Sequence, residues 1–206
     1  MPEPEAHAYT DGASTGSRGP GGYGAVICWE GKTEEVSGGE RDTTNLRMEL
    51  TAACVALEAI DEGHIVTIYS DSSYLVNCMR RGWHERWREN GWLNHRKGPV
   101  ANRDLWERLL EATRRHREVR WRKVKGHSKT GGAHKTGNDR ADELAVAAKK
   151  EAGGDRSSGS MSPGSVRSRA LPGKLPEDLR WAEALREDLR RDIARWAERS
   201  GTLPDG

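Results

Sequence analysis

Cysteine is scarce in this chain and poorly placed for cross-linking. Cys28, Cys54 and Cys78 are odd in number, widely spaced, and form no Cys-x-x-Cys pair. This argues against a disulfide framework or a zinc site and for reduced thiols in a cytosolic protein. Long apolar runs are missing as well. No stretch approaches the ~20 residues that cross a bilayer, so no membrane association is expected. Met1-Pro2-Glu3-Pro4-Glu5 has neither a basic start nor an apolar run, so no secretory signal is expected either. The expected location is the cytoplasm. Net charge is nearly absent, since 34 basic residues face 32 acidic ones and leave +2. Near-neutrality does not exclude a polyanion partner, because local clusters or bound metal can carry the charge. Apolar residues reach only 34% against 32% charged, which places part of the 206 residues outside any core. The length leaves room for one domain of about 150 residues and an appendage.

Periodicity supplies the elements. Residues 5–12 alternate weakly and end at Asp11-Gly12, which reads as a strand running into a turn. The segment from Gly16 to Gly24 holds five glycines and Pro20 but no following Lys-Ser/Thr, so it reads as a tight hairpin connection rather than a phosphate loop. Strands are expected near 22–30 and 33–39. From Thr44 the period changes: Met48, Leu50, Ala53, Cys54, Leu57 and Ile60 recur at helical steps to about Glu62, with Thr43 or Thr44 as cap. Ile65-Val66-Thr67-Ile68-Tyr69 is β-branched and reads as a buried strand. A helix follows through Arg80, then a Trp-rich segment to Arg103, a helix over about 100–116, a strand over 119–124 and a helix to about Ala152.

After that the composition shifts. Between Gly153 and Lys174, 13 of 22 residues are Gly, Ser or Pro, which reads as an unordered linker over 153–174. Over 175–200, Leu175, Leu179, Ala182, Leu185, Leu189, Ile193 and Trp196 form one apolar stripe opposite a face dense in Arg, Glu and Asp. An amphipathic helix on a tether is expected, with its destination open between its own domain, a second copy of the chain and a partner protein.

Four acids carry the chemistry. Asp11, Glu49, Asp71 and Asp142 stand in four separate local patterns, at strand ends or helix starts: Tyr9-Thr10-Asp11-Gly12, Arg47-Met48-Glu49-Leu50, Tyr69-Ser70-Asp71-Ser72 and Asn138-Asp139-Arg140-Ala141-Asp142-Glu143-Leu144. Acids gathered from remote parts of a chain repel one another unless cations hold them, which points to a divalent-metal site. Any one of them taken alone is better explained as a solvated surface group or a helix cap, and Asp142 could be only a favourable charge on a helix dipole. A second candidate cluster is Trp83, Trp87 and Trp92 among Arg86, Arg88, Arg96, Lys97 and Arg103. It suits either a core helix with a charged face or a groove that tracks a nucleic-acid backbone.

Together with Gly19-Pro20-Gly21-Gly22-Tyr23-Gly24, Thr43-Thr44-Asn45, Trp121 and Val124-Lys125-Gly126-His127, the four acid patterns resemble the type 1 ribonuclease H family, bacterial ribonuclease HI-like, over about residues 5–150. The resemblance implies an α/β ribonuclease H-like fold: a five-stranded mixed sheet flanked by helices, here as a catalytic domain over 1–152. It implies an endoribonuclease that hydrolyses the RNA strand of RNA–DNA hybrids, giving 5′-phosphate and 3′-hydroxyl products. Asp11, Glu49, Asp71 and Asp142 would hold two Mg²⁺ ions, with Asp11 bridging them and Mn²⁺ a substitute. The chemistry agrees, since two ions ~4 Å apart activate the attacking water and stabilise the leaving oxygen. The family pattern aligns Asp142 rather than Asp139 with the metal.

The resemblance also gives His127 a proton-transfer role near the scissile phosphate, with His134 a weaker substitute in a loop longer than in compact members. It places Trp83 and Trp87 along a channel for the DNA strand, and Arg86 and Arg88 beside them are expected to contact backbone phosphates. Thr44, Asn45 and Asn102 fall where the family holds a DNA phosphate or reads the minor groove, although cap and turn roles fit them too. Ser17, Leu46 and Ser73 depart from the longer amides common there. A silent hybrid-binding module, or a nuclease or transferase of the same superfold, are the other function classes. The intact acids with His127 argue against the first, and the Trp-rich insertion with Gly126-His127 against the second.

Overall fold

Alternation along residues 5–12 puts Ala6, Ala8 and Thr10 on one face of a strand and His7, Tyr9 and Asp11 on the other. A computed structural model describes residues 4–125, 133–154 and 167–171, together with Leu185 and Glu187. In chain order its elements are β1 (Glu5–Ser14), β2 (Gly19–Trp29), β3 (Lys32–Thr43), α1 (Asn45–Ala59), β4 (Ile65–Ser70), α2 (Ser73–Arg80), α3 (Trp83–Glu89), α4 (Arg103–Arg114), β5 (Glu118–Lys123), α5 (Ala133–Gly153) and β6 (Arg167–Leu171).

The sheet order is β5-β4-β1-β2-β3-β6. β1, β2 and β3 form an antiparallel meander, whereas β4 and β5 join parallel to β1. The expected five-stranded mixed sheet is thus present, with a short sixth strand on the β3 edge. The alternation sorts the core. Ala6, Ala8, Ala25 and Ile27 meet the apolar face of α1 in the main cluster, while Tyr9, Val26 and Cys28 meet Ala141 of α5 on the opposite face.

Four expectations change. The strand expected to run into a turn at Asp11-Gly12 continues to Ser14, because both residues pair with β2. The glycines from Gly19 onward lie inside β2, and the turn is confined to residues 15–18. A methyl on Gly22 would stand 2.3 Å from the Ala145 carbonyl, and one on Gly24 2.3 Å from that of Ala141, so these glycines let α5 lie directly on the sheet. The helix expected over 100–116 begins at Arg103, because Asn102 takes a left-handed φ of 58° and breaks the helical run. The linker expected to be unordered supplies β6. Residues 167–171 fall between the glycine- and proline-bearing stretches, and pairing with β3 satisfies backbone groups without an apolar side-chain pattern. The helix expected over 175–200 lies outside the described residues apart from Leu185 and Glu187, both helical.

Candidate active site

Each acid reaches the site from a different element. Asp11 projects from β1 and Asp71 follows the end of β4, the strand paired parallel to it. Glu49 sits in the first turns of α1, whose start is fixed by the Thr44 hydroxyl accepting from the Arg47 amide at 3.3 Å. Of the two threonines expected as caps, Thr44 is the one that acts. Gly12 has no side chain where α1 presses in at Met48 and Glu49, so the helix start can close on the strand.

One ligand oxygen each from Asp11, Glu49 and Asp71 lies within 4.8 Å of the others. Asp11 and Glu49 are buried. Burial first, then the Asp71 charge and, more weakly, Asp142, push the Asp11 carboxyl up to about 7 against the pull of the Gly12 N–H. Burial followed by the charges of Asp11 and Asp71 holds Glu49 well above the usual carboxylate range, opposed by a hydrogen bond from Asn45. The Asn45 amide donates to Glu49 Oε1 at 3.3 Å, and Glu49 Oε2 is buried without a partner among the described residues. Three crowded carboxylates, one with an orphan oxygen, fit a hard divalent cation and are poorly explained without one. Asp142, half-buried on α5, stands outside that trio, though its charge contributes to the shift at Asp11. Asp139 is ion-paired with Lys135 one turn earlier.

The other expected residues separate. Arg47 donates to Asn102 Oδ1 at 3.3 Å and pairs with Asp104 at 3.0 Å, so the start of α4 is tied to the start of α1, near Thr44 and Asn45. Trp83 is half-exposed on α3, with Tyr74 edge-on at 5.9 Å. Trp87 is buried, edge-on to Trp106 at 5.3 Å, and belongs to the core. Arg86 and Arg88 are exposed on the same helix. His127 lies outside the described residues. His134 is bound by its Nδ1 to the Tyr9 hydroxyl at 3.0 Å, with its ring 4.6 Å from that of Tyr69, which places it in an aromatic group on the α5 face.

Lys123 was not foreseen. It ends β5 opposite Ser70, and its ammonium donates to the hydroxyl of Ser73, two residues past Asp71. No acid stands in the first turn of α2, and Lys123 has no ion pair among the described residues. The signal was the parallel β4–β5 register, which places the ends of those strands together.

Comparisons with known proteins point to one family. A family model described as RNase H matches residues 3–150. The chain is 53% identical over 144 residues to the ribonuclease H of Moorella thermoacetica, covering 70% of this chain and 91% of that protein. It is 49% identical over 147 residues to that of Desulforamulus reducens, covering 71% and 89%. Among solved structures it is similar to LC9-RNase H1, described as a type 1 RNase H with the type 2 active-site motif, with TM-score 0.62 and 32% identity over 73% of this chain and 74% of that one. It is also similar to LC11-RNase H1, solved in complex with an RNA/DNA hybrid, with TM-score 0.53 and 25% identity over 71% and 98%.

Proposed function

The chain belongs to the ribonuclease H family, and on that premise we propose that it is an endonuclease that cleaves the RNA strand of RNA–DNA hybrids at the acid pocket, leaving 5′-phosphate and 3′-hydroxyl ends. One observation carries the reading: carboxylate oxygens of Asp11, Glu49 and Asp71 converge within 4.8 Å. Asp11, Glu49, Asp71 and Asp142 would hold two Mg²⁺ ions, with Mn²⁺ as a substitute. Bound there, the ions supply Lewis-acid stabilisation of phosphate charge and a more acidic water.

The chain's own groups do the rest. The Gly12 N–H fixes one oxygen of Asp11 at 2.7 Å, and Asn45 fixes one oxygen of Glu49, so each acid keeps its remaining oxygen for a ligand. Thr44, Asn45 and Asn102 lie at neighbouring helix starts and orient the hybrid. Trp83 offers a ring face to the DNA strand, and Arg86, Arg88 and Lys123 meet backbone phosphates. His127 moves a proton near the scissile phosphate, a role suited to a group titrating near neutrality. A module that merely held the hybrid would gain nothing from three close carboxylates, which repel the phosphates they face.

The test is incubation with hybrid, double-stranded RNA and duplex DNA, in Mg²⁺ or chelator. Only the RNA of the hybrid is cut, and only with metal. Asp11→Asn lowers turnover on the order of a thousandfold, whereas His127→Ala lowers it partially. Cutting in chelator, or an Asp11→Asn enzyme of full activity, contradicts the proposal.

A further inference from the structure

The family match ends at residue 150, so β6 and Leu185 belong to sequence that the ribonuclease H reading does not use. Two separate observations bring this sequence back onto the domain. β6 runs antiparallel along β3 from Thr33 to Ser37, and Arg167 at its start pairs with Glu151 near the end of α5 at 3.0 Å. Further on, Leu185 is wholly buried, at 0% exposure, among Tyr9, Val26, Cys28 and Ala141, with Tyr69 and Leu144 packed at the margin. Glu187, two residues later, is exposed. An apolar side chain buried beside an acidic one in water is the pattern of an amphipathic segment lying on a surface.

We propose that the extension after α5 is an intramolecular clasp, and that the occupant of the Tyr9–Val26–Cys28 patch is this chain's own Leu185. Reach favours the same chain over a second copy. β6 anchors the extension two strands from β2 and three from β1, about 10–15 Å at ordinary strand spacing. The fourteen-residue step from Leu171 to Leu185 spans about 20 Å even if wholly helical. Chemistry agrees, because the side chains around Leu185 are mostly apolar and need no charged partner. The patch also borders the site. Tyr9 is two residues from Asp11 on the same strand face, and Ala141 precedes Asp142, so, on the active-site reading above, the clasp braces two elements that carry the acids.

Cys28 reports on the clasp independently of activity. It is 6% exposed inside the patch, whereas Cys54 and Cys78 are 0% exposed in the main core. The experiment is thiol alkylation of the full-length protein under native conditions, mapped by mass spectrometry, for wild type, Leu185→Asp, the milder Leu185→Ala and the exposed control Glu187→Ala. Cys28 should react at least about tenfold faster in Leu185→Asp than in wild type, by a smaller factor in Leu185→Ala, and unchanged in Glu187→Ala. Cys54 and Cys78 should stay protected throughout, which separates opening of the clasp from unfolding. Should Leu185→Asp expose all three thiols, Leu185→Ala carries the comparison. A Cys28 that reacts freely in wild type, or equally slowly in both Leu185 variants, overturns the proposal. Protection that survives dilution supports an intramolecular clasp; protection that is lost on dilution, with a dimer on sizing, assigns the patch to a second copy and overturns it.

Discussion

Gly12 lies so close to Glu49 that a methyl on its Cα would stand 2.4 Å from the Glu49 amide nitrogen and 2.6 Å from the Met48 carbonyl carbon. Both obstacles are backbone and cannot rotate away. Gly12→Ala therefore forces β1 and α1 apart, with a loss of about 1–3 kcal/mol typical of overpacking. The same shift withdraws Glu49 from Asp11, so the Mg²⁺ concentration for half-maximal activity should rise as well. Denaturant melts and a metal titration check both; an unchanged metal requirement would show that the close approach serves packing alone.

A pH effect follows from the burial of Asp11. Its folded carboxyl, pushed up to about 7 from 3.8, holds a proton that the unfolded chain has already released. The folded state therefore binds more protons between those values, and stability falls as pH rises through that window. His7 acts in the opposite sense: burial, then the charges of His134 and Arg120, hold it at about 4, so its contribution rises as pH climbs to 6.5. Comparison with Asp11→Asn removes this acid's titration together with its charge on Glu49. In chelator, Asp11→Asn should be the more stable protein near neutrality, by up to about 4 kcal/mol, and the gap should shrink toward pH 4. Added Mg²⁺ should stabilise wild type and not the variant. Melting curves across pH, with and without metal, provide the check.

Trp83 and Trp87 should separate into two phenotypes. Trp87→Ala opens a cavity beside Trp106 and should lower stability by about 3–5 kcal/mol. Trp83→Ala removes a half-exposed ring from the core margin, so it should cost less stability than Trp87→Ala, and should weaken hybrid binding by about 1–3 kcal/mol, the worth of one stacked base. Chemical denaturation and KM together distinguish them, and a purely structural Trp83 would leave KM unchanged.

Lys123 predicts a salt effect. Lys123→Ala should reduce the slope of log affinity against log salt by about 1, and Arg86→Ala with Arg88→Ala by up to about 2. Binding measured on a catalytically inactive Asp11→Asn background gives the slope directly. An unaltered slope removes the phosphate role from the residue concerned.

The acids were legible in the chain because each one stands in its own local signal. Asp11 stands in an alternating strand, though that strand runs on to Ser14 rather than ending there, Asp71 follows a β-branched run, and Glu49 follows a capped helix start. Trp83 and Trp87 were not separable, since residues four apart share a helix face and only the neighbouring Trp106 buries one of them. The glycines of 19–24 misled because a turn and a strand pressed by a helix call for the same residue. Lys123 meets Ser73 through a parallel pairing that no local pattern encodes. β6 was hidden for a related reason: it is held by the main chain of β3, and main-chain pairing leaves little trace in side-chain composition.

The addition of β6 leaves β5 as the sheet's other outer strand, and its sequence Glu118-Val119-Arg120-Trp121-Arg122-Lys123 places three cations within six residues. A strand so charged repels an identical strand brought alongside it. The border at β6 is only five residues long and carries the exposed Arg167 and Arg169, so both outer strands bear cations that disfavour pairing with a copy of themselves.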